Sequence, residues 1–276
     1  MSFTAIVQNN AGGVTASGHM VSTVGELVDR LGPAPMVLLA VWSHPDDESL
    51  LAGGFLAEVA RRGGRVVNVN ATSGEHGTDD PVANPPAILA ERRERELSAA
   101  LDELSAESAI RLGFGDGSCD LVPDRLGADV VGTIIDQVGP DVIVTFGPDG
   151  VTGHPDHRAV ARWTRRAVAD RGDLVPLVTT AAAAVWPAFC IERLHSINAF
   201  WPGFPDRTGI DQAVLLDDRL IERKLAALAR HDSQMAPVEE ALGPGGFRAV
   251  AATEAYRATN PAARRRLTSA FTPLAA

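Results

Sequence analysis

The stretch Met36-Val37-Leu38-Leu39-Ala40-Val41-Trp42-Ser43-His44-Pro45-Asp46-Asp47-Glu48 decides the fold. Its apolar half reads as a strand buried on both faces, as in parallel sheets. A helical pattern begins near Ser49 and ends at Gly63-Gly64. One imidazole and three carboxylates therefore occupy the turn between a buried strand and a helix, where α/β proteins hold their ligands. Taken alone, the cluster reads equally well as a helix cap. Asp46, Asp47 or Ser49 could cap the helix and complement its dipole, and His44 could be an ordinary strand-end histidine.

The same rhythm continues on both sides. The pattern predicts a helix over 22–31 with Ser22 as its cap, then strands over 36–43 and 65–72. A loop over 73–86, rich in Gly, Asp and Pro, is long for a compact domain, which marks it as functional or mobile. A helix over 87–104, a short strand over 109–114, a helix over 124–139, a strand over 141–146 and a helix over 154–171 follow. Strands over 174–186 and 213–216, a helix over 217–232 and an irregular end with one or two helices complete the chain. This is an α/β pattern: a Rossmann-like, mostly parallel sheet with helices on both faces and a C-terminal extension past residue 187. Residues 1–32 read as an N-terminal extension, polar and aperiodic up to about residue 20, in which His19 has no role. Residues 33–276 read as a single domain.

A formal charge of -10 argues against a nucleic-acid partner held through phosphates. Two cysteines imply no disulfide framework and fit a reducing cytoplasm. No basic segment leads an apolar core at the N-terminus, and the apolar run from Leu174 to Cys190 is interrupted by Pro176 and Pro187. The expectation is a cytoplasmic protein without membrane partners; a homo-oligomer is compatible with the composition.

A second cluster, Gly153-His154-Pro155-Asp156-His157, again follows an apolar strand-like run. Pro155 suits the first helical position, and His154 and His157 share a face at i, i+3. This cluster alone could be a polar first turn with Asp156 facing the dipole. Two such clusters on strands of one parallel sheet point to a metal site. Imidazole and carboxylate suit Zn(II), which in catalysis takes three protein ligands and keeps one position open.

These two motifs resemble those of the PIG-L/LmbE family of metal-dependent N-deacetylases, which includes deacetylases of the mycothiol and bacillithiol pathways and mycothiol conjugate amidase. The resemblance spans roughly residues 36–234. Thr72-Ser73-Gly74-Glu75-His76-Gly77 is similar to the family's TxGExG loop, Arg93-Glu94-Arg95-Glu96-Leu97 to its RxxEL helix start, and Gly115-Asp116-Gly117 to its Asp-Gly turn. Lys224 and His231-Asp232-Ser233-Gln234 are similar to its late K…HxSQ signature.

The resemblance implies a zinc-dependent amidohydrolase that removes an acetyl group from an N-acetylglucosamine-type sugar or glycoconjugate, with Fe(II), Co(II) or Ni(II) as substitute metals. It implies His44, Asp47 and His157 as ligands and Asp46 as general base. His154 would be a protonated imidazole stabilising the oxyanion, Asp156 a group tuning or orienting an imidazole, and Arg93 and Asp116 substrate contacts. From the residues alone, Arg93 is equally a helix-surface residue and Asp116 a turn-former, while His231 reads as structural and Glu48 has no assigned step. Mycothiol-pathway deacetylases resemble one another in a tyrosine just before the second histidine motif. Here that place reads Val151-Thr152-Gly153, and the only tyrosine is Tyr256.

Three other activities fit parts of the pattern. An amidase acting on a non-sugar or thiol-conjugate substrate would use the same site. A mononuclear Fe(II) oxygenase also uses two histidines and a carboxylate, but the spacing of the carboxylate from His44 and the parallel α/β pattern argue against it. A nucleotide-binding module would need a GxGxxG turn after the first strand, whereas Gly53-Gly54 lies within a helix pattern.

Overall fold

A computed structural model of the chain describes residues 20–205 and 209–268. Strands β1 (Met20–Thr23), β2 (Val37–Trp42), β3 (Arg65–Asn70), β4 (Ile110–Arg111), β5 (Val142–Phe146), β6 (Leu177–Thr180), β7 (Gln212–Leu215) and β8 (Thr253–Ala258) form one sheet. Its order is β1-β7-β8-β6-β5-β2-β3-β4. β8 runs antiparallel to both of its neighbours, and every other pairing is parallel. From Leu38 onward β2 is buried, and β5 is buried throughout. Strands covered on both faces need that continuous apolar run.

The helices are α1 (Val24–Leu31), α2 (Asp47–Arg61), α3 (Pro86–Leu104), α4 (Asp124–Val138), α5 (Pro155–Ala169), α6 (Ala188–Ser196), α7 (Asp218–Leu228), α8 (Asp232–Ala251) and α9 (Pro261–Thr268). α2, α3 and α7 pack on one another, and α4 packs on α5. The chain steps from β2 through β3 to β4, then returns to place β5 on the other side of β2. Right-handed crossovers in the two directions put these helix groups on opposite faces. The reversal also opens a crevice between the carboxyl ends of β2 and β5, the switch point where open α/β sheets bind ligands. The two histidine motifs follow these two strands.

The structure departs from the sequence reading in several places. Thr23, not Ser22, caps α1, through a reciprocal capping box with Glu26; Ser22 belongs to β1 and hydrogen-bonds Gln212 at 3.2 Å. Residues 20–31 are thus an edge strand and a helix of the same sheet, while residues 1–19 lie outside the described residues. The strand expected over 174–186 contracts to β6, because Leu174 is exposed and the chain turns after Thr180. Residues past 187 do not pack outside the sheet. They supply β7 and β8, which lie between β1 and β6. The irregular end expected from 236 holds β8 and an α8 kinked at Gly243, which has φ 66° and precedes Pro244. No helix among the described residues is long and apolar enough to cross a membrane.

Candidate metal centre and active site

His44 leaves the end of β2, and Asp47 opens α2 one turn later. The His44 N–H donates to Asp47 Oδ2 at 2.8 Å, so the turn closes on its own carboxylate. Asp46 sits between them at φ 115°, a left-handed conformation that a non-glycine residue adopts only when its surroundings impose it. The Asp46 N–H donates to Glu48 Oε2 at 3.1 Å, and Arg93 donates to Asp46 Oδ2 at 2.9 Å and to the Pro45 carbonyl at 2.6 Å. Arg93 also donates to the Gly74 carbonyl at 2.8 Å. A side chain at Gly74 would collide with this guanidinium, which explains the glycine there.

His157 comes from the first turn of α5. Its Nδ1 lies 2.9 Å from the Gly150 carbonyl, an acceptor only, so Nδ1 carries the proton and Nε2 presents a lone pair. His44 Nε2 lies 3.1 Å from Asp116 Oδ1 and 3.3 Å from Asp156 Oδ2, so that nitrogen is also a donor. The remaining nitrogens, His44 Nδ1 and His157 Nε2, face each other at 3.1 Å. Two bare lone pairs at that distance repel; a cation must lie between them, either a proton on His44 or a metal ion.

The carboxylates around His44 favour either cation. Burial alone would lower its proton affinity, but hydrogen bonds to Asp116 and Asp156 and the charge of Asp47 outweigh this and raise it to about 10. Asp47 completes the trio at 3.4 Å from His157 Nε2 and 3.8 Å from His44 Nδ1. Ligands bound tetrahedrally to zinc at about 2.0–2.1 Å lie about 3.3 Å apart, so the spacing fits a metal. His154 offers a ring nitrogen within 4.8 Å of the same pair, and Asp116 and Asp156 form a second acidic group around His44.

The site places the expected residues together. Asp156 serves His44, not its sequence neighbour His154. Its two oxygens also accept the N–H groups of Gly117 at 2.8 Å and Cys119 at 2.9 Å, which fixes it under the imidazole. Asp116 likewise holds His44 while accepting the His76 N–H at 2.8 Å. His154 accepts the Asp156 N–H on Nδ1 at 3.2 Å. Burial, followed by the charges of His44 and His157, lowers its proton affinity to about 4. Asp46 moves the other way, to about 6: burial raises it and Arg93 opposes.

Other residues join the site that sequence reasoning left unassigned. Glu48 and His231 form a fully buried pair beneath Asp46, with His231 Nε2 2.8 Å from Glu48 Oε1. Glu75 accepts the Asp116 N–H at 2.9 Å. The TxGExG-like and HxSQ-like segments carried that signal. Thr152, just before the second histidine motif, lies 3.2 Å from His157 Nδ1. Tyr256 is buried in β8 and donates to Glu254, away from the pocket. Trp42 and Trp163 are core residues, and Trp186 lines the pocket. The pocket encloses about 450 Å³.

An α/β protein with an imidazole–carboxylate cluster at its switch point is the class that fold and geometry define. Comparison with known proteins places the chain more closely. A family model described as PIG-L, GlcNAc-PI de-N-acetylase, matches residues 39–168. A 1D-myo-inositol 2-acetamido-2-deoxy-alpha-D-glucopyranoside deacetylase of Mycobacterium sp. (strain KMS) is 31% identical, over 77% of this chain and 76% of its own length. The protein of that name from Mycolicibacterium vanbaalenii is 36% identical, over 59% of this chain and 66% of its own. The chain belongs to the PIG-L family of de-N-acetylases. Among solved structures, the zinc-inhibited form of teicoplanin deacetylase Orf2 has TM-score 0.59 and 19% identity, covering 80% of this chain and 97% of that one. The N,N'-diacetylchitobiose deacetylase of Pyrococcus horikoshii has TM-score 0.58 and 22% identity, covering 87% of each chain. At these identities the structures establish a shared fold.

Proposed function

We propose that this enzyme hydrolyses the N-acyl (acetyl) amide of an N-acetylglucosamine-type sugar or glycoconjugate, with zinc held by His44, Asp47 and His157. The observation that carries this reading is the facing pair, His44 Nδ1 and His157 Nε2 at 3.1 Å, with Asp47 beside it and the strained Asp46 next in the chain. A zinc ion held there would polarise the amide carbonyl and lower the pKa of a water toward about 7.

The chain's own residues do the rest. Asp46 accepts the proton of the attacking water. Its affinity, raised to about 6, lies close to the working pH, where a general base is most effective. Arg93 holds that carboxylate at 2.9 Å and keeps it aimed at the centre. His154 donates its Nε2–H to the carbonyl oxygen as negative charge develops there, and that charge raises its own proton affinity. The proton held by Asp46 passes to the leaving nitrogen, giving a carboxylic acid and an amine, which settle as carboxylate and ammonium. Asp156 and Asp116 keep His44 in the tautomer that turns Nδ1 inward. His76 and Gln234, which line the same pocket, offer polar atoms to sugar hydroxyls.

The test is acetate release from a panel of N-acetylglucosaminides with Zn(II). Release from at least one member is expected. A folded, metal-loaded protein inert toward the whole panel contradicts the reading.

A further inference from the structure

The pocket has two unlike ends. At one end stand His76, Arg93 and Asp116, from the segments that follow β3 and β4. At the other stand Trp186, Leu194 and Phe200, from the segments that follow β6. In the sheet order β6-β5-β2-β3-β4, these groups lie on opposite flanks of the β2–β5 crevice, with His44 and His157 between them.

α8 spans both ends. Gln234, at its start, donates to the Gly77 carbonyl at 3.0 Å on the polar flank. Leu242, two turns on, has its carbonyl 2.9 Å from Arg193 of α6 on the other flank. Met235 and Leu242 add to the apolar wall. Asn198 also borders that end but is exposed at its rim.

From this arrangement we infer that the enzyme's preferred substrates carry an N-acyl chain longer than acetyl, a medium-length fatty acyl group, and that the chain lies in the apolar end. The inference rests on the N-deacylase reading above. In a trans amide the two substituents leave in opposite directions. The sugar ring carries hydroxyls that need partners, and these stand on the β3–β4 flank. The other substituent then faces the wall built from α6, α8 and Trp186. An acetyl methyl would touch little of that wall, whereas a longer chain would bury its own apolar surface against it. The chemistry is unchanged. The C–N bond breaks, a C–O bond forms from water, and the products are a fatty carboxylate and the protonated amino sugar. Each buried methylene is worth about fourfold in kcat/KM.

The experiment compares N-acetyl, N-butyryl, N-hexanoyl and N-octanoyl derivatives of one methyl glucosaminide, using the zinc-loaded full chain. A second arm keeps the acetyl group and lengthens the alkyl aglycone from methyl to octyl. The inference predicts kcat/KM rising at least tenfold from acetyl to hexanoyl, with a smaller response to the aglycone. An optimum at acetyl overturns it and leaves the deacetylase reading intact. A rise that follows the aglycone instead overturns it by assigning the apolar end to that group. No hydrolysis of any acyl member removes the deacylase reading itself, and this inference with it. Leu242→Trp and Leu194→Trp narrow that end from α8 and from α6. Each is expected to lower the hexanoyl-to-acetyl ratio of kcat/KM at least tenfold; an unmoved ratio in folded variants counts against the placement.

Discussion

Helix α2 carries two buried charge clusters, one at its N-terminus and one at its middle, and they are built on opposite principles. At the middle, Glu254 of β8 has no exposure. One oxygen accepts from Lys224 Nζ at 2.8 Å and the Gly54 N–H at 2.8 Å. The other accepts from Tyr256 at 2.7 Å and the Phe55 N–H at 3.1 Å. Every acceptor has a donor from the chain. At the N-terminus, His44 Nδ1 and His157 Nε2 meet with only a cation able to reconcile them. A cluster closed by its own donors fixes the fold, and one whose facing nitrogens need a proton or a metal ion between them is a candidate binding site. Both hold ionisable groups at full burial, so burial does not separate them; donor and acceptor matching does.

Perturbing the open cluster should remove chemistry before stability. Stripping the metal with a chelator, or replacing His44 with Ala, should reduce amide hydrolysis to background while far-UV circular dichroism is unchanged. Loss of the fold at the same chelator concentration would erase the contrast. Asp46→Asn should lower kcat by about 10²–10⁴-fold with metal content retained; an unchanged rate would remove Asp46 as base. Asp156→Asn loosens the carboxylate that orients His44 and should weaken metal affinity by about 10–100-fold, read by competition with a chromogenic chelator.

The closed cluster should respond in the other way. Lys224→Met leaves Glu254 buried and unpaired. It should cost about 3–5 kcal/mol, or roughly 6–20 °C in Tm, without changing metal stoichiometry. The smallest effect concerns the Glu48–His231 pair, which sits between the two clusters. Burial opposes the charge on both members. The charge of each on the other outweighs it, so Glu48 is lowered and His231 raised. His231 then contributes stability that is complete below about pH 6.5 and is lost as pH rises through its raised folded value. Glu48 contributes stability present above about pH 4.3 and lost as pH falls through its lowered one. Urea titrations should show a larger gap between wild type and His231→Gln at pH 6 than at pH 9. An equal gap would mean that the pair is not ionised.

How much of this the sequence carries depends on how local each feature is. The two histidine motifs were legible because each is contiguous and follows an unbroken apolar strand, and the parallel pattern already implied a crevice at strand ends. Which imidazole Asp156 serves was not legible, because His44 lies 112 residues away in the chain. β8 escaped because Thr253-Glu254-Ala255-Tyr256-Arg257-Ala258 places a carboxylate in a buried strand, and only the later-found Lys224 and Tyr256 bonds explain it. The apolar end of the pocket escaped for the converse reason. Leu194, Met235 and Leu242 have the helical spacing of ordinary core residues, and no local pattern separates a wall that faces a ligand from one that faces a neighbouring helix.

The central claim is that the cation between His44 and His157 is a metal ion that these residues hold. Elemental analysis after zinc reconstitution and desalting, on wild type and His157→Ala side by side, addresses it directly. The account predicts one zinc per chain in the wild type and none retained in a folded variant. Equal zinc in both, or none in the wild type, would contradict it.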